Sequence, residues 1–140
     1  MNFEIKGTPL PVVICSLEEG EALKTERGAM SWMSDNIKME TNAGGGIGKM
    51  FSRAISGESI FQNVYTSVGA SGRIAFSSSF PGEILSVKIT PDKPLVAQKS
   101  AFLASELGVN IDVFFQKKIS AAFFGGEGFI MQKFSGNGYT

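Results

Sequence analysis

The sequence contains no histidine and only one cysteine among its 140 residues. Without histidine, it lacks the side chain that most often serves as a general base and as a nitrogen ligand of zinc. No pair of acidic residues stands at a distinctive spacing, so the usual triads, acid–base pairs and metal motifs cannot be assembled. We therefore expect a protein that is not an enzyme and that uses neither a cofactor nor a metal ion.

The single cysteine, Cys15, excludes an intrachain disulfide bond. Val12, Val13 and Ile14 precede it directly, which indicates a buried thiol within a β-strand. The chain also lacks a long apolar run, and no basic, signal-like segment follows Met1. We expect a cytoplasmic protein with neither a signal peptide nor a transmembrane segment.

An excess of charge of one sign is also missing, because Lys and Arg number 13, Asp and Glu number 13, and the net charge is zero. Such a chain has no overall field that would attract nucleic acid or an anionic membrane. We expect no DNA partner, and the charge gives RNA binding no support. For the same reason Trp32 is expected to pack inside the protein rather than to stack on bases.

The sequence does contain many short alternating or apolar runs, separated by turn residues such as Gly69, Gly72 and Gly108. Runs of this kind are typical of β-strands. The predicted strands span residues 3–6, 12–16, 22–25, 29–33, 37–41, 60–66, 73–77, 84–89, 95–98, 101–104, 109–115 and 128–134. Such a series predicts an all-β fold, an antiparallel sandwich or barrel, in a single domain.

The stretch from Thr41 to Tyr65 departs from this pattern. Its apolar residues recur at the helical period, as in a helix with one buried face. These residues are Ile47, Met50, Phe51, Ala54 and Ile55. The sequence therefore predicts one short helix in an otherwise β protein.

A triple glycine, Gly44, Gly45 and Gly46, precedes this helix. A glycine-rich turn before a helix can offer backbone N–H groups to a phosphate. In the frame of a Walker-type loop, however, Ala43 replaces the first glycine, and Met50 replaces the Ser or Thr that would hold magnesium. The sequence therefore favours a flexible or closely packed loop over a phosphate site.

Arg53 and Glu58 are the most interesting charged pair after the helix. In one interpretation they form a structural clamp, with Glu58 accepting backbone N–H bonds; in the other, Arg53 and Lys49 bind an anion. The structural clamp is favoured. The complete candidate ligand or loop site comprises Gly44, Gly45, Gly46, Lys49, Arg53 and Glu58.

An internal repeat relates the two halves of the chain. Leu95 lies 72 positions after Leu23, and beyond the glycine stretch the shift becomes 69, so that Phe134 corresponds to Tyr65. The shift of 72 also relates Leu17, Ala29, Met30 and Ile37 to Ile89, Ala101, Phe102 and Val109. The repeat predicts a duplicated antiparallel β unit.

The two predicted units span residues 1 to about 70 and about 71 to 140 of the single domain. The second unit stops where the first continues into the strand that contains Arg73. We therefore expect either a C-terminally truncated form of a three-unit chain or a homo-oligomer in which a partner covers an open sheet edge. In the oligomer, Gly128–Thr140 would lie at the subunit contact, beside Phe114 or Phe115.

Several short motifs stand in a fixed order along the chain. They are Gly28-Ala29-Met30, Gly44-Gly45-Gly46-Ile47, Arg53, Gly57-Glu58-Ser59-Ile60-Phe61, Tyr65, Pro81-Gly82, Ala101-Phe102-Leu103-Ala104 and Gly136-Asn137-Gly138. In this order and spacing they resemble the altered-inheritance-of-mitochondria family over nearly the whole chain. Bacterial members were long filed under a domain of unknown function, and mitochondrial relatives are linked to inner-membrane organisation.

The resemblance implies a fold similar to that of the tryptophan RNA-binding attenuation protein. In that fold, repeated β units of the double-stranded β-helix type pack as a pseudo-symmetric trimer within one chain. Typical members look longer than this chain, so the resemblance also implies two of three units here.

Two functions of different class follow. The first is a non-enzymatic scaffold or assembly protein that acts as a homo-oligomer, with a link to membrane organisation that the resemblance alone implies. The alternative is a small-ligand or RNA-binding module, which rests on similarity of fold.

Overall fold

The computed structural model describes residues 2–41, 62–116 and 129–140. Nearly all of the regular structure in these ranges is β-strand in antiparallel sheets, which confirms the predicted all-β fold. The first half contains β1 (Asn2–Lys6), β2 (Val12–Leu17), β3 (Ala22–Glu26), β4 (Met30–Met33), β5 (Ile37–Thr41), β6 (Gln62–Ser67) and β7 (Gly72–Ser77). The second half contains β8 (Lys88–Ile89), β9 (Leu95–Gln98), β10 (Ala104–Glu106), β11 (Val109–Gln116), β12 (Phe129–Gly136) and β13 (Gly138–Tyr139).

Within these ranges the strands form two four-stranded sheets, one three-stranded sheet and one two-stranded sheet. The four-stranded sheets have the orders β1-β2-β7-β4 and β10-β3-β6-β5. The smaller sheets have the orders β11-β12-β9 and β13-β8. Because β10 pairs with β3, a main-chain ladder joins the second half of the chain to the first.

The larger core draws on both four-stranded sheets. On β2 and β7 every second residue enters it, as expected for strands with one face on a core. Its buried residues are Val13, Cys15, Leu17, Leu23, Ala29, Ile37, Tyr65, Ile74 and Phe76. Full burial of one large apolar side chain contributes about 1.5–3 kcal/mol, so this cluster is a major source of stability.

A smaller core belongs to the second half. It contains Ile89, Phe102, Val109 and Phe134, and the ring centroids of the two phenylalanines lie 5.5 Å apart. Leu95 and other half-buried apolar residues pack against it. The three-stranded sheet therefore has one face on its own core.

Corresponding ladders of the two halves share the same register. Leu23 lies opposite Tyr65 in the β3–β6 ladder, and Leu95 lies opposite Phe134 in the β9–β12 ladder. The β5–β6 and β11–β12 ladders also agree under the shifts of 72 and 69. Since a slip of one residue would turn every side chain to the other face, this agreement places corresponding residues on corresponding faces.

Two predicted strands differ from the structure. The run 84–89 forms a strand only at Lys88–Ile89, and the run 101–104 is replaced by a 3-10 helix at Lys99–Ala101 followed by β10. The apolar residues Ile84 and Leu85 line a cleft instead of alternating across a sheet. Apolar composition therefore overestimated the length of the strand.

The expectation of an open edge at Gly128–Thr140 is wrong for its main part. β12 pairs with β11 on one side and with β9 on the other, so it lies inside its sheet. Trp32 also differs from its prediction, because 43% of the residue is exposed and the Arg73 guanidinium lies 5.8 Å from its ring centroid. Hydrophobicity alone does not reveal which strands end a sheet.

The turn after β12 requires glycine. Gly136 has a φ of +99°, and a Cβ there would lie 2.4 Å from the carbonyl oxygen of Gly108. This close approach lets the Asn137 N–H donate to that carbonyl at 3.0 Å. The turn directs β13 to its position beside β8 and close to β10.

Candidate functional site

The candidate site predicted from the sequence lies outside the described residues, as does the predicted helix. This applies to Gly44, Gly45, Gly46, Lys49, Arg53 and Glu58. The part of the chain that the structure describes offers three other features: an apolar cleft, a group of buried polar side chains around β3, and apolar side chains exposed on strands at sheet edges.

The cleft has a volume of about 390 Å³ and lies between the linker 78–87 and the second core. The buried rings of Phe102 and Phe134 form its base, and Phe80 and Leu85 of the linker contribute to its wall. A concave, mainly apolar site of this size is typical of those that bind small molecules. The cleft can therefore hold an apolar group.

The linker is anchored while its apolar side chains stay exposed. Val87 and Thr140 exchange two backbone hydrogen bonds, at 2.8 and 3.0 Å, and the Gly82 N–H donates to the Pro9 carbonyl at 3.1 Å. Nevertheless 71% of Phe80 and 74% of Leu85 are exposed. Contiguous apolar surface of this kind is characteristic of interaction sites.

Lys24 is the most unusual polar residue of the described chain. Only 3% of it is exposed, and its ammonium group donates to the backbone carbonyl of Val109 on β11. Burial favours the neutral amine and lowers the pKa of Lys24 to about 8. Because Lys24 lies on β3, this contact is a second link between the two halves.

Cys15 is buried, as the sequence predicted, with 4% of its surface exposed. It lines an apolar cavity of about 60 Å³ together with Phe3 and Leu103. Burial, and then the negative charge of Glu106, raise the pKa of the Cys15 thiol to about 11. The thiol is therefore protonated near neutral pH, whereas nucleophilic attack requires the thiolate.

The two halves differ in the hydrogen bonding of one pair of interior amide side chains. Asn63 on β6 accepts a hydrogen bond of 3.1 Å from the Thr41 hydroxyl. Its counterpart Gln132 on β12 is fully buried, and both polar atoms of its side chain are without a partner. The neighbours opposite Gln132, Ala97 and Val113, are apolar and offer no hydrogen bond.

Exposed apolar side chains mark two strands at sheet edges. β4 ends one four-stranded sheet and carries Trp32 and Met33, and β9 ends the three-stranded sheet and carries Val96. The exposed fractions of Met33 and Val96 are 37% and 49%. Edge strands with unpaired backbone and apolar side chains are ready-made surfaces for pairing with another chain.

The sequence pattern indicated neither the cleft nor the buried lysine. The available signal for the cleft was the placement of Phe80, Ile84 and Leu85 around Pro81 and Gly82, where a strand is hard to continue. Lys24 gave no signal, because a charged residue in an alternating run normally faces solvent. Its burial depends on β10, which is distant in the sequence.

The comparison with known families decides the relationship. The family model described as mitochondrial biogenesis AIM24 matches residues 3–140. The chain belongs to this family. The resemblance that the sequence motifs indicated is thereby confirmed.

A relative of the chain is an uncharacterised protein of Streptococcus pyogenes serotype M6. It is 30% identical over 136 residues, which cover 91% of this chain and 54% of the relative. The chain thus spans about half the length of that protein.

A crystal structure of a further Streptococcus pyogenes protein has the same fold. It superposes with a TM-score of 0.73 at 23% identity, over 99% of this chain and 62% of the other. Neither relative carries an assigned activity in its name.

The described part of this AIM24-family chain was also compared with the requirements of a metal site and of a membrane-spanning helix, and it meets neither. In residues 2–41, 62–116 and 129–140, no group of three or more His, Cys, Asp or Glu side chains could hold a metal ion. Over the same residues, no helix has the length and apolar character needed to cross a membrane. The apolar cleft and the exposed strand edges remain as candidate sites.

Proposed function

We propose that this protein is a non-enzymatic assembly protein that works as a homo-oligomer. The observation that carries the proposal is the exposure of apolar side chains on strands that end their sheets, namely β4 and β9. Such strands offer backbone donors and acceptors together with an apolar surface. A second protein surface satisfies both better than water does.

The chemistry of the buried polar groups supports a non-enzymatic role. The Cys15 thiol holds its proton at neutral pH, and the Lys24 ammonium is buried against a backbone carbonyl. A nucleophile must be both reactive and accessible to its substrate. These two groups therefore serve the interior of the protein.

The assembly is built, in this proposal, from duplicated units. The shared registers of corresponding ladders support a duplication, and so do the two cores, since the buried residues Ile89, Val109 and Phe134 correspond to Leu17, Ile37 and Tyr65. A repeated unit gives a chain two similar sets of docking surfaces. The name of the family links it with mitochondrial biogenesis, and we extend a role in membrane organisation to this chain only as part of the proposal.

A second candidate function has its own supporting observation. The cleft of about 390 Å³ with an aromatic base is suited to a small apolar ligand such as an acyl chain. RNA is the other ligand that the fold similarity suggests. A chain with zero net charge has no overall positive field that would attract it.

Light scattering of the purified 140-residue chain tests the assembly proposal. Each 15.0 kDa chain should appear in particles of an integral multiple of that mass, and the mass should fall on dilution. A monomer at every concentration would refute the proposal.

Fluorescence titration with a fatty-acid probe tests the cleft. Saturable binding that is lost in Leu85→Asp and kept in Val96→Asp would establish the ligand function, because Leu85 lines the cleft and Val96 does not. Binding that Leu85→Asp leaves unchanged would remove it.

A further inference from the structure

One strand junction inside the chain provides a template for contact between chains. β10 pairs antiparallel with β3, so that Ala104 lies opposite Thr25, Ser105 opposite Lys24, and Glu106 opposite Leu23. The Glu26 N–H extends the ladder by donating to the Leu103 carbonyl at 3.1 Å. At this junction the second half of the chain covers the open side of a strand in the first half.

Both strands of the junction have counterparts elsewhere in the chain. The shift of 72 relates β3 to β9, and it relates β10 to residues 32–34 at the end of β4. The structure supports the second relation, because Phe102 packs in the second core and its counterpart Met30 packs against the first. β4 therefore corresponds to β10, and β9 corresponds to β3, the two strands that pair within the chain.

The surroundings of the counterparts agree with this relation. β10 lies between β3 and β13, to which it is tied by the Tyr139 N–H donating to Glu106 Oε2 at 2.9 Å. In its pairing β13 takes the place of β7, since Gly138 lies opposite Ile89 as Gly72 lies opposite Leu17. The shift is 66 here rather than 69, because the turn before β13 is three residues shorter. The second unit therefore begins the counterpart of the strand that contains Arg73, contrary to the expectation from the sequence.

β4 likewise lies beside β7, although it pairs with it through a backbone ladder, whereas β10 contacts β13 through the Glu106 side chain. The other side of β4 carries no ladder among the described residues.

β9 is missing the corresponding neighbour. It pairs with β12 as β3 pairs with β6, yet its outer side has no ladder within the described ranges, where β3 has β10. The template junction buries Lys24 and Ser105 to 3% and 2% exposure. Their counterparts, Val96 and Met33, are apolar and are 49% and 37% exposed.

We propose that β4 of one copy of this chain pairs antiparallel with β9 of another copy, and that this contact repeats the β10–β3 junction. The register follows from the template: Trp32 lies opposite Ala97, Met33 opposite Val96, and Ser34 opposite Leu95. The inference rests on the proposed function, because it names the interface of the proposed oligomer. The occupant is a second copy, since this chain itself carries both strands of the junction that the contact repeats.

The proposed contact is head-to-tail. Each chain contributes β4 to one neighbour and β9 to the other, so the two surfaces in a contact are different. Such contacts produce closed rings or open filaments rather than two-fold dimers with one self-complementary patch. The apolar pair Met33 and Val96 replaces the buried lysine and serine of the template and needs no hydrogen-bond partner for its side chains.

Charge substitutions at the two surfaces test the interface. Val96→Lys and Met33→Glu should each raise the dissociation constant of the oligomer about tenfold or more, because each places an unpaired charge in an apolar contact. Mixing the two variants should re-form the oligomer, because one junction between unlike chains keeps Met33 opposite Val96 and the other places the two introduced, opposite charges face to face. Met39→Glu, on the exposed face of the different edge strand β5, is the matched control and should leave the mass unchanged.

Cross-linking tests the head-to-tail arrangement. A disulfide should form when the Met33→Cys and Val96→Cys variants are mixed and oxidised, and neither variant should cross-link to itself. Cys15 is buried and should not take part. Self-linked dimers of either variant would overturn the arrangement.

The outcomes separate the two proposals. If the unmodified chain is monomeric, both the assembly function and this interface are refuted. If the chain is oligomeric but Val96→Lys and Met33→Glu leave its mass unchanged while circular dichroism shows them folded, only the interface is refuted. Loss of the oligomer in folded variants, together with the mixed cross-link, establishes it.

Discussion

The two halves of the chain bury opposite kinds of side chain at equivalent places. Lys24 on β3 is charged and almost fully buried, whereas its counterpart Val96 on β9 is apolar and about half exposed. The strands have the same register, and the difference lies in the neighbour, because β10 covers β3 and no described strand covers β9. Burial here is determined by which strand lies alongside, not by the hydrophobicity of the residue.

The interiors of the halves differ in a related way. Asn63 receives a hydrogen bond from Thr41, while Gln132 lies between Ala97 and Val113 without a bond for its amide. An unsatisfied buried amide lowers stability by about 1–3 kcal/mol. Equivalent backbone positions therefore differ in energy, and variants can measure the difference.

The largest expected effect concerns whether the halves fold as one unit. Phe134→Ala should lower the free energy of unfolding by about 3–5 kcal/mol, because it removes a buried ring and leaves a cavity in the second core. Since the β10–β3 ladder and the Lys24 contact join the halves, both should still unfold in one transition. Chemical denaturation followed by circular dichroism and fluorescence measures this. Two separate transitions would show that the halves are independent.

The next effect is a dependence of stability on pH. The pKa of Lys24 is about 8 in the folded chain and 10.5 ordinarily, so the unfolded chain binds more protons between these values. The free energy of unfolding should therefore rise above pH 8, by about 1.4 kcal/mol per pH unit. The Cys15 thiol acts in the opposite direction between its ordinary pKa of 9.0 and its folded value of about 11.

The combined profile should rise from about pH 8 to about pH 9 and then level off, because the two groups cancel. Denaturant titrations at a series of pH values give the profile. Lys24→Met should remove the rise and leave only the fall above pH 9, and Cys15→Ala should extend the rise toward pH 10.5. A rise that survives in Lys24→Met would assign it to another group.

A smaller pair of effects compares the interior amides. Gln132→Leu should raise the free energy of unfolding by about 1 kcal/mol, because it replaces an unbonded amide by an apolar group of similar size. Asn63→Leu should lower it by about 1 kcal/mol, since Thr41 loses its acceptor. Thermal unfolding of the two variants in parallel measures both signs. Changes of the same sign in the free energy of unfolding would mean that the two amides do not differ in hydrogen bonding.

The smallest effect is expected at the surface of the first half, where Glu4 of β1 contacts Arg73 at 3.1 Å and Lys6 at 3.0 Å. These side chains are about half exposed, and exposed ion pairs contribute little. Glu4→Gln should change the free energy of unfolding by about 0.5 kcal/mol or less. A larger loss that added salt does not reduce would indicate that β1 holds the first sheet together.

The sequence predicted the all-β fold, the family and most strand positions, because alternation and turn residues act locally. Cys15 was placed correctly for the same reason, since its own strand is apolar. Lys24, Trp32 and Val96 could not be placed, because their exposure depends on strands distant in the sequence. The cleft was missed because a linker with apolar residues resembles a strand in composition.

The buried thiol of Cys15 can report when the first half of the chain opens. A protonated, covered sulfur reacts with alkylating agents only after the first half has opened, so the labelling rate measures how often it opens. Since Cys15 is the one cysteine in the sequence, each labelled molecule records a single, known position. Mass spectrometry of alkylated chains can therefore follow local unfolding of the protein without an engineered labelling site.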